Sequence, residues 1–305
     1  LEFRRVLFRS QALGDVMLFG GSTITAGALG GRDIAVLSTG NQTLGGVAAT
    51  GRVLLADQSM SSLGGTPFSS TYDLNPVFAA APVATAGSIS VSGPITATQF
   101  TAVTTSGFAG QAIGAGGAVT IDAGAGGLAA GAIASTGGAV NLNSTGTITV
   151  GNLGAATGLS VSAGAGLTMG GGTSGSGDIV LTSTGDFTAA GAIDAVGGTL
   201  SLVSGGAVSA GDVHAAGTAS AVTINVQGGQ SVSLGAVSAD AGRIALGSGG
   251  ALALGDLAAA NGAATLGAVG PLTAGSLSVS GGNLGLSIGS DATTGAISLT
   301  GGALS

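Results

Sequence analysis

The sequence predicts an all-β fold, a right-handed parallel β-helix with about 20 residues per coil and three short strands in each coil. Three observations support this prediction. An apolar–variable–apolar triplet recurs every 19 to 22 residues, a glycine–variable–aliphatic triplet follows it, and a third apolar patch lies between the two. The recurring first triplets begin at Val119, Val140, Leu159, Ile179, Leu200, Val222, Ile244, Ala264 and Leu284. A fixed period of this length is typical of a solenoid, in which each repeat stacks on its neighbours.

Each landmark within a coil has a structural interpretation. The alternation in Val140-Asn141-Leu142 has period two, which indicates a strand with one buried face. Glycine triplets such as Gly211-Asp212-Val213 indicate sharp corners, because glycine lets neighbouring backbones approach closely. The third patch, for example Ile148 with Val150, supplies the remaining strand. Successive coils should therefore pair as three parallel sheets, and parallel connections are overwhelmingly right-handed.

A single coil cannot fold alone. It buries about six aliphatic side chains at roughly 1.5–3 kcal/mol each. Ordering its roughly twenty residues costs about 1–2 kcal/mol per residue for the backbone. Hydrogen bonds and side-chain stacks shared with both neighbouring coils must supply the difference.

The chain divides into four parts. Residues 1–10 share no repeat feature and match a translated sequencing adapter, so they are interpreted as non-native. Residues 11–57 contain β-helix coils, and residues 119–305 contain the regular repeats. Between them, residues 58–118 are predicted as irregular coils with loop excursions, since the next clear strand after Val53 begins at Ile89, 36 residues later.

The excursions of residues 58–118 are the predicted ligand-binding region. They hold four of the five prolines, which cannot donate to a strand ladder. They also hold Phe68, Tyr72 and Phe78, the three candidate ligand-binding residues, and long loops on a rigid scaffold often carry function. In the alternative interpretation, these aromatic side chains fold back and cover the side of the β-helix.

Composition excludes several function classes. Without residues 1–10 the chain has 13 − 1 = 12 acidic residues and 6 − 3 = 3 arginines, a net charge of −9, which disfavours nucleic-acid binding. Cysteine is absent, which excludes a disulfide scaffold and thiolate metal sites. No apolar run reaches 18 residues, so no membrane-spanning helix is predicted.

No catalytic residue, metal site or cofactor is predicted. Asp122, Asp194, Asp212 and Asp256 flank inward-facing aliphatic residues, so they should point outward on different sides, without a converging carboxylate pair. His214, the only histidine, should lie on the surface. The glycine-rich stretch from Gly171 to Asp178 only faintly matches a calcium-binding repeat, and Arg32, Arg52 and Arg243 precede first strands as solvated corner residues.

The repeat style resembles the large exoproteins of Gram-negative bacteria, namely filamentous haemagglutinin-like, two-partner-secretion and autotransporter passengers. The resemblance is carried by units such as Val140 to Leu153 and Leu200 to Val213, and it covers residues 15–57 and 119–305. It implies an extracellular or cell-surface β-helical stalk that is exported through an outer-membrane β-barrel translocator and binds host cells or polysaccharides.

The sequence therefore favours a non-catalytic stalk or adhesin fragment. Two alternatives stay open. One is a fragment of a carbohydrate-active β-helix enzyme, a polysaccharide lyase or hydrolase. The other is a structural component of a matrix or surface layer.

Overall fold

The structure, a computed structural model, confirms a parallel β-solenoid with three strands in each coil. It describes residues 10–11, 14–57, 74–79, 87–217 and 223–305. The chain forms two compact units, one ending at Gly151 and the other beginning at Asn152. In the part of the chain that is described, no helix is long and apolar enough to cross a membrane.

The first unit contains eighteen strands and one short helix. In chain order these are β1 (Ser10–Gln11), β2 (Val16–Gly20), β3 (Ile24–Ala26), β4 (Leu29–Gly31), β5 (Ile34–Ser38), β6 (Gln42–Leu44), β7 (Val47–Ala49), β8 (Arg52–Asp57), α1 (Asn75–Ala79), β9 (Ile89–Val91), β10 (Ile95–Ala97), β11 (Gln99–Val103), β12 (Phe108–Ala109), β13 (Ile113–Ala115), β14 (Val119–Asp122), β15 (Leu128–Ala130), β16 (Ile133–Ser135), β17 (Ala139–Ser144) and β18 (Ile148–Val150).

The second unit contains twenty-two strands. They are β19 (Leu153–Ala155), β20 (Gly158–Ala163), β21 (Leu167–Met169), β22 (Gly172–Ser174), β23 (Ile179–Ser183), β24 (Phe187–Ala189), β25 (Ile193–Ala195), β26 (Leu200–Ser204), β27 (Val208–Ala210), β28 (Val213–Ala215), β29 (Thr223–Gly228), β30 (Val232–Leu234), β31 (Val237–Ala239), β32 (Gly242–Ser248), β33 (Leu252–Leu254), β34 (Leu257–Ala259), β35 (Gly262–Ala268), β36 (Leu272–Ala274), β37 (Leu277–Ser280), β38 (Leu284–Ile288), β39 (Ala292–Thr294) and β40 (Ile297–Thr300).

In each unit every third strand belongs to the same sheet. Sheet A holds the strands that follow the glycine corners, sheet B holds the opening triplets, and sheet C holds the third apolar patch. Pairing is parallel and in register; for example, Ile179 pairs with Leu200, and Leu181 pairs with Leu202. The alternating burial of β23 confirms one inward and one outward face for each strand.

The core consists of aliphatic columns. Residues such as Ile179, Leu200 and Ile244 lie at corresponding positions of successive coils and are fully buried. Phe100 and Phe108 also lie in the core of the first unit, with their rings 6.1 Å apart in an edge-to-face arrangement. Both aromatics belong to strands of regular coils, although they come from the region predicted as irregular.

Buried serines close the corner that follows sheet B. Ser183 and Ser204 end their strands facing inward, and each donates its hydroxyl to the backbone carbonyl of Gly185, at 2.9 and 2.7 Å. Ser248 does the same toward Gln230 at 2.7 Å. A short side chain with a hydroxyl satisfies a carbonyl that the turn would otherwise leave unpaired inside the tube.

Two register assignments differ from the sequence prediction. The opening triplet predicted at Val222 is wrong by two residues, because Leu200 pairs with Ile224 and Ile224 pairs with Ile244. The extra chain length between β28 and β29 hides this shift, since both registers place apolar residues at alternating positions. In the first unit, the counterpart of Val53 in sheet B is Phe100, whereas Ile89 pairs with Gln42 in sheet C.

Candidate functional site

Only one of the three predicted ligand-binding residues lies within the described residues. Phe68 and Tyr72 are outside them. Phe78 belongs to α1, where its ring lies on the guanidinium of Arg52, with Cζ 4.2 Å from the ring centroid. A cation over an aromatic face is a stabilising arrangement.

Phe78 also covers the outer face of sheet B. Together with Val77 it packs against a cluster formed by Leu37, Leu54 and Ala56, all of which are buried although they point away from the tube. This geometry is the one that the alternative interpretation expects, in which an aromatic residue covers the side of the β-helix. A ligand-binding role for these residues stays a prediction.

Arg52 holds α1 in place through polar contacts. It donates hydrogen bonds to Asn75 Oδ1 at 2.8 Å and to Asp33 Oδ2 at 2.7 Å. Burial raises the pKa of Asp33, but the hydrogen bonds from Arg52 and the charges of Arg52 and Arg32 outweigh it, so the net pKa lies below the usual value of 3.8. Arg32 forms a similar ion pair with Asp15 at 2.7 Å. Both arginines are structural, as the sequence predicts.

Most described carboxylates of the second unit serve as acceptors at the coil corners. The carboxylate oxygen of each accepts a hydrogen bond from a backbone N–H one coil later. The pairs are Asp178 with Thr199 (2.7 Å), Asp186 with Ala207 (2.8 Å), Asp212 with Ala236 (2.8 Å) and Asp256 with Ser276 (2.7 Å). Hydrogen bonds from the backbone and hydroxyl of Ser276 lower the pKa of Asp256. These carboxylates are therefore committed to joining coils.

The same interaction explains several corner glycines. A Cβ on Gly235 would lie closer than 3 Å to Asp212 Oδ1, and a Cβ on Gly275 would approach Asp256 equally closely. In both cases the glycine directly precedes the residue whose N–H the aspartate binds. Glycine is required here because a carboxylate of the preceding coil occupies the space of its side chain.

One cluster of titratable side chains differs from this pattern. On the outer face of sheet A in the second unit, His214 lies between two carboxylates: Nδ1 is 2.9 Å from Asp194 Oδ1, and Nε2 is 3.4 Å from Asp240 Oδ1. Burial lowers the pKa of His214, but the hydrogen bonds and charges of Asp194 and Asp240 outweigh it and raise the pKa above 6.5. His214 is on the surface, as predicted, with about a third of its side chain exposed.

This cluster corrects the expectation that the outward acids lie apart from other titratable groups. Asp194 and His214 pair directly across β25 and β28. Their separation of 20 residues is one coil, and each follows an inward aliphatic residue, so the sequence contains the signal for this contact. Asp240 could not be placed in the same way, because the longer connection before β29 shifts its register.

The cluster does not form a hydrolytic triad. Asp194, His214 and Ser238 lie in register on adjacent strands, in the order that such a triad needs. However, Nε2 of His214 faces Asp240 at 3.4 Å, where a triad would need the serine hydroxyl. The backbone of β28 and β31 is engaged in the sheet ladder, which leaves no pair of N–H groups on this described surface for an oxyanion.

The cluster does not form a metal site either. The two carboxylates lie at opposite nitrogens of the imidazole ring, so one ion cannot bind all three side chains. Among the residues that the structure describes, no group of three or more His, Cys, Asp and Glu side chains could hold a metal ion. The glycine-rich stretch before Asp178 is part of the coil corner, and Asp178 itself binds the N–H of Thr199.

Two shallow depressions lie on the outer surface. The first, about 270 Å³, lies against sheet C of the first unit, with Ser90 and Thr149 at its ends and Ala109 and Ala129 between them. The second, about 400 Å³, lies against sheet B of the second unit and is lined by residues that include Gln227, Gly247 and Ser287. None of the lining residues of either depression is titratable, so neither supplies a general acid or base.

Comparison with protein-family models, curated proteins and solved structures finds no match to this chain.

Proposed function

We propose that this chain is a non-catalytic β-helical stalk from a secreted or surface-exposed bacterial exoprotein, where it spaces or mediates adhesion. One observation carries the proposal: the described carboxylates at the coil corners are consumed in hydrogen bonds between coils, such as Asp178 with Thr199 and Asp212 with Ala236. A carboxylate committed to the backbone of the next coil is not available to transfer a proton to a substrate.

The outer surface of the second unit also suits a spacer. The outward column of sheet C consists of small, uncharged residues: Thr168, Thr188, Ser209, Ser233, Ala253, Thr273 and Thr293. Such a surface binds water through its hydroxyls and presents no large apolar patch that would drive aggregation. The repeated coil adds length at a constant cost per residue, which is what a stalk requires.

The proposed location and export route follow from the resemblance to filamentous haemagglutinin-like exoproteins. Such a stalk is exported through an outer-membrane β-barrel and acts outside the cell on host-cell or polysaccharide surfaces. The absence of cysteine supports this route, because a chain without disulfides needs no oxidative step to fold after export. Each new coil can fold on the edge of the preceding one, since the three sheets are parallel and in register.

A polysaccharide turnover assay tests the non-catalytic part of the proposal. The purified chain is incubated with a panel of acidic and neutral polysaccharides, and new reducing ends and unsaturated products are measured beside the His214→Asn variant. We expect no turnover above the level of the variant. Turnover that is lost in His214→Asn, Asp122→Asn or Asp178→Asn would instead establish the carbohydrate-active enzyme.

An adhesion assay tests the contact surface. Beads coated with the chain are compared with beads coated with the double variant Phe68→Ala/Tyr72→Ala, and retention on cell and polysaccharide surfaces is measured. Phe78→Ala is the matched control, because Phe78 covers the outer face of sheet B. Retention lost only in the double variant assigns adhesion to the excursion. If neither chain is retained on any surface, the function is that of a spacer or matrix component and not of an adhesin.

A further inference from the structure

The Asp194–His214–Asp240 cluster joins three successive coils. Asp194 lies on β25, His214 on the neighbouring strand β28, and Asp240 directly after the next strand, β31. The corner aspartates bind backbone N–H groups of one neighbouring coil, whereas the ring of His214 binds side chains in the coils before and after it. His214 is also the only histidine of the chain, so this arrangement occurs once.

The cluster lies at the longest connection between sheets A and B of the second unit. Residues 216–222 connect β28 to β29, whereas four residues connect β25 to β26 and two connect β31 to β32. A longer connection holds its flanking strands together less tightly, because the chain entropy lost when the strands pair grows with the length of the connection. Side-chain contacts that cross this coil therefore supplement the backbone ladder where its covalent support is weakest.

We propose that Asp194, His214 and Asp240 form a pH-dependent clasp, which holds three successive coils together more tightly at mildly acidic than at alkaline pH. When the imidazole is protonated, both ring nitrogens donate hydrogen bonds and the positive charge lies between two carboxylates. When it is neutral, only one nitrogen carries a proton, so one of the two contacts loses its hydrogen bond and both lose their charge attraction.

The direction of the effect follows from the groups around the ring. Asp194 from β25 and Asp240 from the end of β31 are the carboxylates that face His214, and Ser238 on β31 is uncharged. Asp212, two residues before His214, is committed to the N–H of Ala236. Since the pKa of His214 is raised in the folded chain, its stabilisation is complete below about pH 6.5 and is lost as the pH rises through the folded value.

Nuclear magnetic resonance titration of the histidine ring tests the clasp directly, because the chain gives a single histidine signal. We expect the midpoint in the folded chain to lie above the midpoint in the urea-unfolded chain. We also expect Asp194→Asn and Asp240→Asn each to lower the folded midpoint. A folded midpoint at or below the unfolded one would overturn the proposal, and so would two variants that leave it unchanged.

Amide hydrogen exchange provides the second measurement, because it reports on the coils themselves. Between pH 8.5 and pH 5.5, after correction for intrinsic exchange rates, we expect protection of β25, β28 and β31 to rise severalfold relative to β34 and β37. In His214→Gln this difference should disappear, since glutamine retains a hydrogen-bonding side chain but does not titrate. The same pH-dependent rise in the His214→Gln chain would contradict the clasp. A loss of protection throughout this variant at both pH values would do so as well, because it would mean that His214 serves folding alone.

Discussion

Strands β5 and β23 have closely similar sequences and different surroundings. β5 reads Ile-Ala-Val-Leu-Ser and β23 reads Ile-Val-Leu-Thr-Ser, and both belong to sheet B of their units. All five residues of β5 are buried, whereas burial alternates in β23, where Val180 is 41% exposed. The inward face is the same in both strands. The difference lies on the outer face, which α1 covers in the first unit through Val77 and Phe78.

This comparison shows that a coil has two separate levels of organisation. The inward columns and corners form in every coil from the local repeat. Whether the outer face is covered depends on residues more than twenty positions away, so the outward residues of the two strands have different roles. Leu37 in β5 is fully buried beneath Val77 and Phe78, and Thr182 at the matching position of β23 is exposed.

The largest effect is expected from exchanging these matched outward residues. Leu37→Thr removes a buried aliphatic group and buries a hydroxyl, so we expect it to lower the free energy of unfolding by about 2–4 kcal/mol. The matched change Thr182→Leu should alter it by less than about 0.5 kcal/mol, because the side chain is exposed. Urea unfolding followed by circular dichroism measures both. Equal effects in the two variants would mean that the outer faces do not differ.

A corner substitution addresses the level of organisation that the two units share. Gly235→Ala places a Cβ against Asp212 Oδ1 and the adjacent backbone, so it should destabilise the chain by about 1–3 kcal/mol. In the first unit, a Cβ added at Gly114 would meet no atom within 4 Å. Gly114→Ala is therefore the matched control, with an expected effect below about 0.5 kcal/mol.

A double-mutant cycle identifies the cause of the Gly235→Ala effect. Part of the loss comes from the carboxylate of Asp212, so Asp212→Ala should reduce the additional cost of Gly235→Ala. If the two substitutions are additive in urea unfolding, the carboxylate does not account for the glycine, and the backbone contact alone does.

Sequence reasoning predicts the shared level of organisation well and the unshared level poorly. The period, the three parallel sheets and the inward columns follow from alternation and corner glycines, which are local. The register error at Val222 and the position of Ile89 arise where the connections change length. The contact between Asp194 and His214 is present in the spacing of one coil. The cover provided by Phe78 and the approach of Asp240 depend on longer connections, whose geometry no repeat specifies.

A smaller effect is expected at a corner that occurs in three successive coils of the second unit. Asn261 has a φ of 53°, and Gly281 and Gly301 at the equivalent corners have a φ of 77°. Among the described residues, Asn261 is the only one other than glycine with a positive φ. Asn261→Gly should therefore change the stability by a few tenths of a kcal/mol, whereas Asn261→Val should cost about 1–2 kcal/mol, since a β-branched residue tolerates this conformation poorly. Thermal unfolding of the two variants measures the difference, and equal melting temperatures would show that the corner relaxes.

The smallest effect is a difference in sign between the two units as the pH falls. In the first unit, the pKa of Asp33 is lowered by Arg52 and Arg32, so its stabilisation is present above its usual value of 3.8 and is lost as the pH falls through the folded value. In the second unit, the raised pKa of His214 gives the opposite behaviour, because its stabilisation appears as the pH falls. Acidification from pH 8.5 to 5.5 should therefore increase protection around β28 and leave β5 and β8 unchanged, and further acidification below pH 4 should weaken β5 and β8. Hydrogen exchange of each unit measures both trends, with Asp33→Asn and His214→Gln as the variants in which each trend should vanish. If both units respond with the same sign over the same pH range, the titrating groups are not these two, and general charge repulsion governs the acid response of the coils.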